Sequence, residues 1–132
     1  MPDIIFLTLE EVLALHDDAI AFAGGETGVL SMDMLESAIA QPEAGFGGQW
    51  ANPFPFGMAA AYAFHLSRNH AFVDGNKRVG LSAAVAFLFM NGWELVDPDE
   101  SLHPIMEDVA QGKIDKPALA AIFERMAQKL GP

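Results

Sequence analysis

The amino-acid sequence predicts an all-α fold, a compact bundle of about six helices that forms a single domain over residues 1–132. Three observations support this prediction. Apolar residues recur at helical spacing, and capping residues and Pro or Gly breakers separate the resulting segments. Residues 79–90 carry no charge, which is typical of a helix buried at the centre of a bundle. A chain of 132 residues also buries about two-thirds of the surface that its unfolded form exposes.

The first helix is predicted from its N-terminal cap. Residues 4–7 can form a short strand or an extended arm, and Thr8 with Glu11 then forms a capping box. Gly24 and Gly25 end the helix. Its apolar residues lie on or near one face, which predicts packing on one side only: Leu9, Val12, Leu13, Leu15, Ile20 and Phe22.

A second, shorter helix follows Ser31 as its N-cap and ends near Ala40, where Gln41 and Pro42 stop it. Residues 42–55 then contain Pro and Asn breakers and three glycines, which is too broken for a regular element. We interpret this segment as a long surface loop. Two interpretations of it remain open: a functional loop, or an Ω-loop whose aromatic residues pin it to the core.

Two strongly apolar helices surround a polar loop. The first runs from 55 to 69 and the second from about 76 to 91, so residues 70–78 join them. Residues 93–96 can form a short extended piece, and another helix begins between Asp99 and His103 with Pro104 near its start. Asp115 caps a last helix that runs from 116 to about 129.

The charge distribution excludes several classes of function. The chain has 7 Lys and Arg against 18 Asp and Glu, a net charge of -11, whereas sequence-independent binding of DNA or RNA needs many cations on one face. We therefore expect no direct nucleic-acid partner. Three of the seven cations, Arg68, Lys77 and Arg78, fall within eleven residues, and residues 1–67 contain none. Such a concentrated charge suits one small anion.

The same composition bears on the compartment. The chain has no cysteine, so disulfides and thiolate metal sites are excluded. It has no N-terminal signal pattern and no apolar run of the ~20 residues that a membrane span needs. We therefore expect a cytoplasmic protein without a membrane partner.

The loop at residues 70–78 has the features of an anion site. A loop that enters a helix presents free backbone N–H groups and the positive end of the helix dipole. Gly75 lets the backbone approach a phosphate closely or adopt positive φ. Lys77 and Arg78 occupy a first turn where acidic residues are usually favoured, which indicates that these cations serve a ligand.

Two further residues of this loop suggest chemistry. Asp74 can form a structural salt bridge with Arg78, or it can bind Mg²⁺, which takes one or two carboxylates together with phosphate oxygens. His70 can act as a general base toward a hydroxyl group, because the pKa of imidazole lies near neutrality. Phe72 is expected to point into the core and anchor the loop.

The nine residues His70-Ala71-Phe72-Val73-Asp74-Gly75-Asn76-Lys77-Arg78 resemble the His-x-Phe-x-Asp-Gly-Asn-Lys-Arg signature of the Fic/Doc family. The lysine after the asparagine resembles the death-on-curing (Doc) toxin branch of that family. Gln41-Pro42 with Phe46-Gly47-Gly48, and the apolar run at 59–66, are also similar. The resemblance covers roughly residues 5–130.

The resemblance implies a fold and an activity. Fic-type proteins are all-α, and most transfer AMP from ATP to a hydroxyl of a target protein; a glycine follows their asparagine, and a second arginine lies three residues after the first. Lys77 and Leu81 occupy those positions here. Both departures match the Doc branch, in which the nucleotide is reversed and its γ-phosphoryl group goes to a threonine of elongation factor Tu. The resemblance thus implies an ATP-dependent, toxin-type protein kinase that halts translation. AMP transfer, or an inactive binding member, remains the alternative.

The resemblance also implies a role for each site residue. His70 would take the proton of the target hydroxyl, and Asp74 would bind Mg²⁺. Gly75 and Asn76 would shape the anion nest, while Lys77 and Arg78 would neutralise charge on the transferred phosphoryl group.

Two partners follow from the same resemblance. The loop at 42–54 corresponds to a flap that aligns a segment of the target protein. The chain has no glutamate followed by glycine or asparagine, a pair that belongs to the inhibitory helix of many Fic proteins. The resemblance therefore implies a separate antitoxin, whose C-terminal segment folds into a groove on the toxin.

Overall fold

The chain folds into six α-helices and four short strands in a computed structural model that describes residues 3–131. The predicted helical bundle is confirmed in its helices, but it is not strictly all-α. The expectation about the N-terminal signal pattern concerns residues that include 1 and 2, which lie outside the described part. In chain order the elements are α1 (Leu9–Ala23), α2 (Met32–Ala40), a 3-10 turn (Gln41–Glu43), β1 (Gly45–Phe46), β2 (Gln49–Trp50), α3 (Phe56–Arg68), α4 (Asn76–Met90), β3 (Trp93–Leu95), α5 (Leu102–Ala110), α6 (Lys116–Met126) and β4 (Ala127–Lys129).

The predicted caps begin three of these helices. The Thr8 hydroxyl accepts a hydrogen bond from the Glu11 N–H at 3.1 Å, and the Glu11 carboxylate accepts one from the Thr8 N–H at 2.9 Å. Ser31 and Asp115 cap α2 and α6 in the same way, each accepting from a backbone N–H three residues later. Each cap satisfies a donor that the helix itself leaves unpaired.

The centre of the bundle is α3, and not α4 as the sequence predicted. Nine of the thirteen residues of α3 are buried, and it contacts α2, α4, α5 and α6. The helix α4 is buried where it faces α3, but Val85 is 41% exposed and Phe89 is 60% exposed on its outer face. The absence of charge from residues 79–90 therefore did not mean that this helix is buried on every side, because its apolar outer face is exposed to solvent.

A glycine lets α3 and α4 approach closely. A Cβ atom at Gly80 would lie 2.6 Å from the Ser67 hydroxyl and 2.8 Å from the Ala63 carbonyl oxygen, so only glycine fits at this contact. The loop at residues 70–75 joins the adjoining ends of these two helices. The close packing of α3 against α4 therefore sets the distance that the loop must bridge.

Residues 4–7 form an extended arm, which decides between the two forms that the sequence left open. The Leu7 N–H donates to the Tyr62 hydroxyl at 2.9 Å, and the Ile5 N–H donates to the Asn91 side chain at 2.9 Å. Burial raises the pKa of Tyr62 to about 12, so its hydroxyl stays neutral. The arm thus satisfies polar groups on α3 and at the end of α4.

Three local predictions were wrong. Helix α6 ends at Met126, because residues 127–129 pair with β3 instead of continuing the helix. The segment at 42–55 contains a small hairpin, β1 with β2, where we predicted no regular element. Phe22 is 95% exposed and does not share the buried face of α1. Within residues 3–131, no helix combines the length and the apolar character that crossing a membrane requires.

Candidate active site

The N-terminus of α4 opens into a cleft of about 460 Å³. The loop before α4 forms one side, and α5 forms the other through His103, Met106, Glu107 and Ala110. All six site residues that the sequence singled out line this cleft: His70, Asp74, Gly75, Asn76, Lys77 and Arg78. Arg68, the third cation of the predicted cluster, does not. Its guanidinium donates to the Val109 carbonyl near the end of α5 at 3.4 Å.

The segment between α1 and α2 holds the loop in place. The carbonyl oxygen of Ala71 accepts hydrogen bonds from the N–H groups of Leu30 and Ser31, at 2.8 and 3.1 Å. The Val73 N–H donates to the Gly28 carbonyl at 3.1 Å. These bonds fix the backbone of the loop on both sides of Phe72, which is buried in the core as predicted.

Asn76 closes the loop with its side chain. Its amide oxygen accepts from the Phe72 N–H at 3.0 Å, and its amide nitrogen donates to the Phe72 carbonyl, also at 3.0 Å. Both polar atoms of this side chain are therefore bonded to the backbone of the loop, and they fix its shape.

Gly75 makes the turn into α4. It has φ +78° and ψ +18°, the left-handed conformation that glycine adopts at little cost. A Cβ atom there would lie 3.1 Å from the Ile20 side chain and 3.5 Å from the His16 imidazole. Among the described residues no side chain caps α4, so its first-turn N–H groups have no side-chain acceptor.

Asp74 carries an exposed carboxylate at the edge of the cleft. It accepts hydrogen bonds from the Gly75 N–H at 2.8 Å and from the Glu26 N–H at 3.3 Å. These two bonds, with smaller contributions from Arg78 and His16, hold the pKa of Asp74 below its ordinary value. The carboxylate is therefore ionised at neutral pH.

The structure does not form the Asp74–Arg78 salt bridge that was one of the two predicted alternatives. Within the described residues, an ion pair within 4 Å joins Lys77 to Glu107, and none joins Asp74 to Arg78. The Arg78 guanidinium instead donates to the Gly24 carbonyl at 2.8 Å. Arg78 thereby links the first turn of α4 to the end of α1.

The donor set at Asp74 fits Mg²⁺ of the kind found in nucleotide sites. Such a site uses one or two carboxylates and completes the coordination with phosphate oxygens and water. Each Asp74 oxygen accepts one backbone N–H, which leaves it free lone pairs for a cation. Residues 3–131 contain no group of three or more His, Asp or Glu side chains that could hold a metal alone. A metal at this place would depend on the nucleotide for most of its ligands.

His16 holds the backbone of Asp74 through a hydrogen bond, and it was not among the site residues that the sequence predicted. It is 2% exposed, its imidazole stacks on the Phe72 ring at 3.8 Å, and its Nε2 donates to the Asp74 carbonyl at 2.7 Å. The spacing of Val12, His16 and Ile20, which form the buried face of α1, could have indicated it. A polar side chain on a buried helix face needs a hydrogen-bond partner.

His70 has an unusual backbone. It lies two residues beyond the end of α3, after the C-cap Asn69, and has φ +52°, a left-handed conformation that costs a non-glycine residue about 1–2 kcal/mol. Glycine is the residue most often found just beyond a helix C-terminus in this conformation. The side chain in this strained position is exposed and lines the cleft.

The predicted phosphate-binding lysine is already paired. The Lys77 ammonium lies 3.0 Å from a carboxylate oxygen of Glu107 on α5. The sequence could not indicate this contact, because Glu107 lies thirty residues further along the chain and no local pattern connects the two positions.

The hairpin segment does not contribute to the lining of this cleft, because none of residues 42–54 lines it. Phe46 is 94% exposed, whereas the ring of Trp50 lies 5.7 Å from Phe6, and that of Phe54 lies 6.4 Å from Phe87. Two of its three aromatic residues therefore contact the core, as the Ω-loop interpretation predicts. The role of a flap for a target protein stays a prediction.

Comparison with known proteins agrees with the resemblance. Residues 6–88 match the sequence model of the Fic/DOC family. A protein named Toxin Doc from Mycolicibacterium smegmatis (strain ATCC 700084 / mc(2)155) is 40% identical over 119 residues, which are 88% of this chain and 88% of that protein. A protein named Protein kinase doc from Escherichia phage P1 is 32% identical over 117 residues, 89% of this chain and 91% of that protein.

Proposed function

Because the chain belongs to the Fic/DOC family, we propose that it is a toxin-type protein kinase. In this proposal it transfers the γ-phosphoryl group of ATP to the hydroxyl group of a threonine in a target protein. The observation that carries the proposal is that His70, Asp74, Lys77 and Arg78 line one cleft at an uncapped helix N-terminus. That arrangement combines an anion site with an imidazole and a carboxylate.

The cleft suits the phosphates of a nucleotide. The first-turn N–H groups of α4 and the helix dipole attract negative charge, and Lys77 and Arg78 add two cations at the same place. Phosphoryl transfer relies mainly on positioning and on neutralising charge at the transferred group. Both requirements can be met by groups that already surround this cleft.

His70 is the proposed general base. The oxygen of the target hydroxyl attacks the γ-phosphorus, its proton passes to the His70 imidazole, and the bond from the γ-phosphorus to the β-bridging oxygen breaks to release ADP. Asp74, held by His16 and by two backbone N–H groups, is the proposed ligand of Mg²⁺. When bound, Mg²⁺ neutralises charge on the phosphates of ATP.

The relatives support the choice of reaction. One is named a toxin and the other a protein kinase, and each aligns with most of this chain. Lys77 also stands directly after Asn76, where AMP-transferring members of the family have glycine. From the resemblance to the Doc branch we propose elongation factor Tu as the target, arrest of translation as the outcome, and a separate antitoxin as the inhibitor.

Labelled ATP tests this proposal. The purified protein is incubated with a bacterial lysate and ATP labelled at either the α- or the γ-phosphate. We expect protein-bound label from γ-labelled ATP only, with elongation factor Tu as the labelled protein. Label from α-labelled ATP would establish AMP transfer instead, and no label from either would leave a binding role. A reaction with EDTA provides the control for the metal.

A further inference from the structure

Glu107 adds a second carboxylate, besides that of Asp74, to the cleft that we propose for the phosphates. It lies on α5, across the cleft from the first turn of α4, and its carboxylate is 3.0 Å from the Lys77 ammonium. The Glu107 side chain is 40% exposed, and the Lys77 side chain is 44% exposed. The cation that our proposal assigns to a phosphate is thus already held by a carboxylate of the same chain.

The position of the Glu107 carboxylate disfavours the binding of a phosphate to Lys77. A phosphate oxygen that binds the Lys77 ammonium lies about 2.8 Å from it, so it would lie within roughly 6 Å of the Glu107 carboxylate. At such a distance like charges repel appreciably in a partly desolvated cleft. Lys77 therefore binds a phosphate less strongly while its ammonium remains paired with Glu107.

The existing pair is weak enough to exchange. Ion pairs between exposed side chains contribute little net stability, because water screens them and because both side chains lose freedom. A polyphosphate carries several negative charges and can displace one carboxylate. The ammonium would then leave α5 and turn toward the nucleotide.

We propose that Glu107 competes with the nucleotide for Lys77, so that binding of the phosphates requires the Lys77–Glu107 ion pair to break. Glu107 thereby lowers the affinity of the cleft for polyphosphate ligands. This inference rests on the proposed function, since it concerns the same cleft. The opposite role, in which Glu107 orients Lys77 toward the phosphate, predicts the opposite change in affinity.

Calorimetric titration with Mg²⁺ and ATP distinguishes these roles. We expect Glu107→Gln to bind ATP about 3- to 10-fold more tightly than wild type, because it removes both the competing pair and a repulsive charge. Glu107→Asp keeps the charge and should remain near wild type. Glu36→Gln, which removes an exposed charge from α2, controls for net charge. Unchanged or weaker binding in Glu107→Gln would overturn the proposal.

A double mutant tests whether the effect passes through Lys77. We expect Lys77→Met to bind ATP more weakly, and we expect Glu107→Gln to give no further gain in that background. A gain that persists without the ammonium would mean that Glu107 acts directly on the nucleotide, and competition for Lys77 would be wrong. Thermal unfolding establishes that each variant is folded before its affinity is compared.

Inorganic tripolyphosphate separates this inference from the proposed function. Tighter binding of tripolyphosphate to Glu107→Gln, together with no binding of ATP, would support the competition and refute the kinase. Transfer of the γ-phosphoryl group with no effect of Glu107→Gln would support the kinase and refute the competition. Failure of the wild type and all variants to bind either ligand would refute both.

Discussion

Substitution of Gly25, which does not itself line the cleft, is predicted to displace the carboxylate of Asp74, which does. Gly25 has φ +121°, and a Cβ atom there would lie 2.6 Å from an Asp74 carboxylate oxygen and 3.2 Å from the Ile20 side chain. In Gly25→Ala the carboxylate must move by several tenths of an ångström to restore ordinary contact. It would lose the geometry of its hydrogen bond with the Glu26 N–H.

Gly28 provides a matched control for this variant. It has the same φ of +121°, but the nearest atom to a Cβ atom there is a methyl carbon of Val73 at 3.5 Å, which is ordinary contact. Both alanine variants therefore carry backbone strain of about 1–3 kcal/mol. Only Gly25→Ala also pushes on the carboxylate, so the difference between the two variants isolates the position of Asp74.

Stability and Mg²⁺ dependence are the two measurements. We expect urea unfolding to show losses of about 1–3 kcal/mol in both variants. The Mg²⁺ concentration for half-maximal transfer of γ label should rise about 10- to 100-fold in Gly25→Ala alone, the usual effect of disturbing the support of a metal ligand. Equal Mg²⁺ dependence in the two variants would refute Asp74 as the metal ligand.

Four further predictions concern His70, Lys77, His65 and Tyr62. Both His70→Ala and His70→Gly should lose about 10²- to 10⁴-fold in transfer rate, the usual contribution of a general base, and near wild-type turnover would exclude that role. The Gly variant should be about 1 kcal/mol more stable than the Ala variant in urea unfolding, because position 70 has φ +52°. Lys77→Gly should lower transfer of γ label and allow transfer of α label; if neither changes, Lys77 does not select the reaction. Burial, and secondarily the charge of Lys116, lowers the pKa of His65 to about 4 in the folded protein. The His65 imidazole therefore takes up a proton more readily in the unfolded chain than in the folded one. Stability should therefore fall as the pH drops from 6.5 toward 4, and His65→Gln should weaken that dependence; an unchanged slope would contradict the assignment. Tyr62→Phe should lose about 1–3 kcal/mol in thermal unfolding, because the buried Leu7 N–H loses its acceptor, and a neutral result would mean that water replaces the hydroxyl.

Local signals in the sequence were sufficient for several helix starts and for much of the cleft. Thr8, Ser31 and Asp115 marked helix starts that the structure confirms, because a cap is determined by residues three positions apart. The residues from His70 to Arg78 were grouped correctly because they are contiguous in the chain. Their chemical roles remain proposals.

Contacts between distant residues could not be read in the same way. Glu107 meets Lys77 only because α5 packs beside α4, and no periodicity in either helix encodes that meeting. The end of α6 was misplaced for a similar reason, since its last predicted turn pairs with β3 instead. The exposed outer face of α4 shows the converse limit, because apolar composition alone does not determine what covers a helix face.

Amide chemical shifts during titration with Mg²⁺ and ATP report whether the uncapped N-terminus of α4 holds the phosphates of the nucleotide. If it does, the largest shifts occur at Gly75, Asn76, Lys77 and Arg78. Shifts concentrated instead at the separate cavity of about 620 Å³ beside Phe54 and Lys116, with residues 75–78 unchanged, would contradict this role of α4.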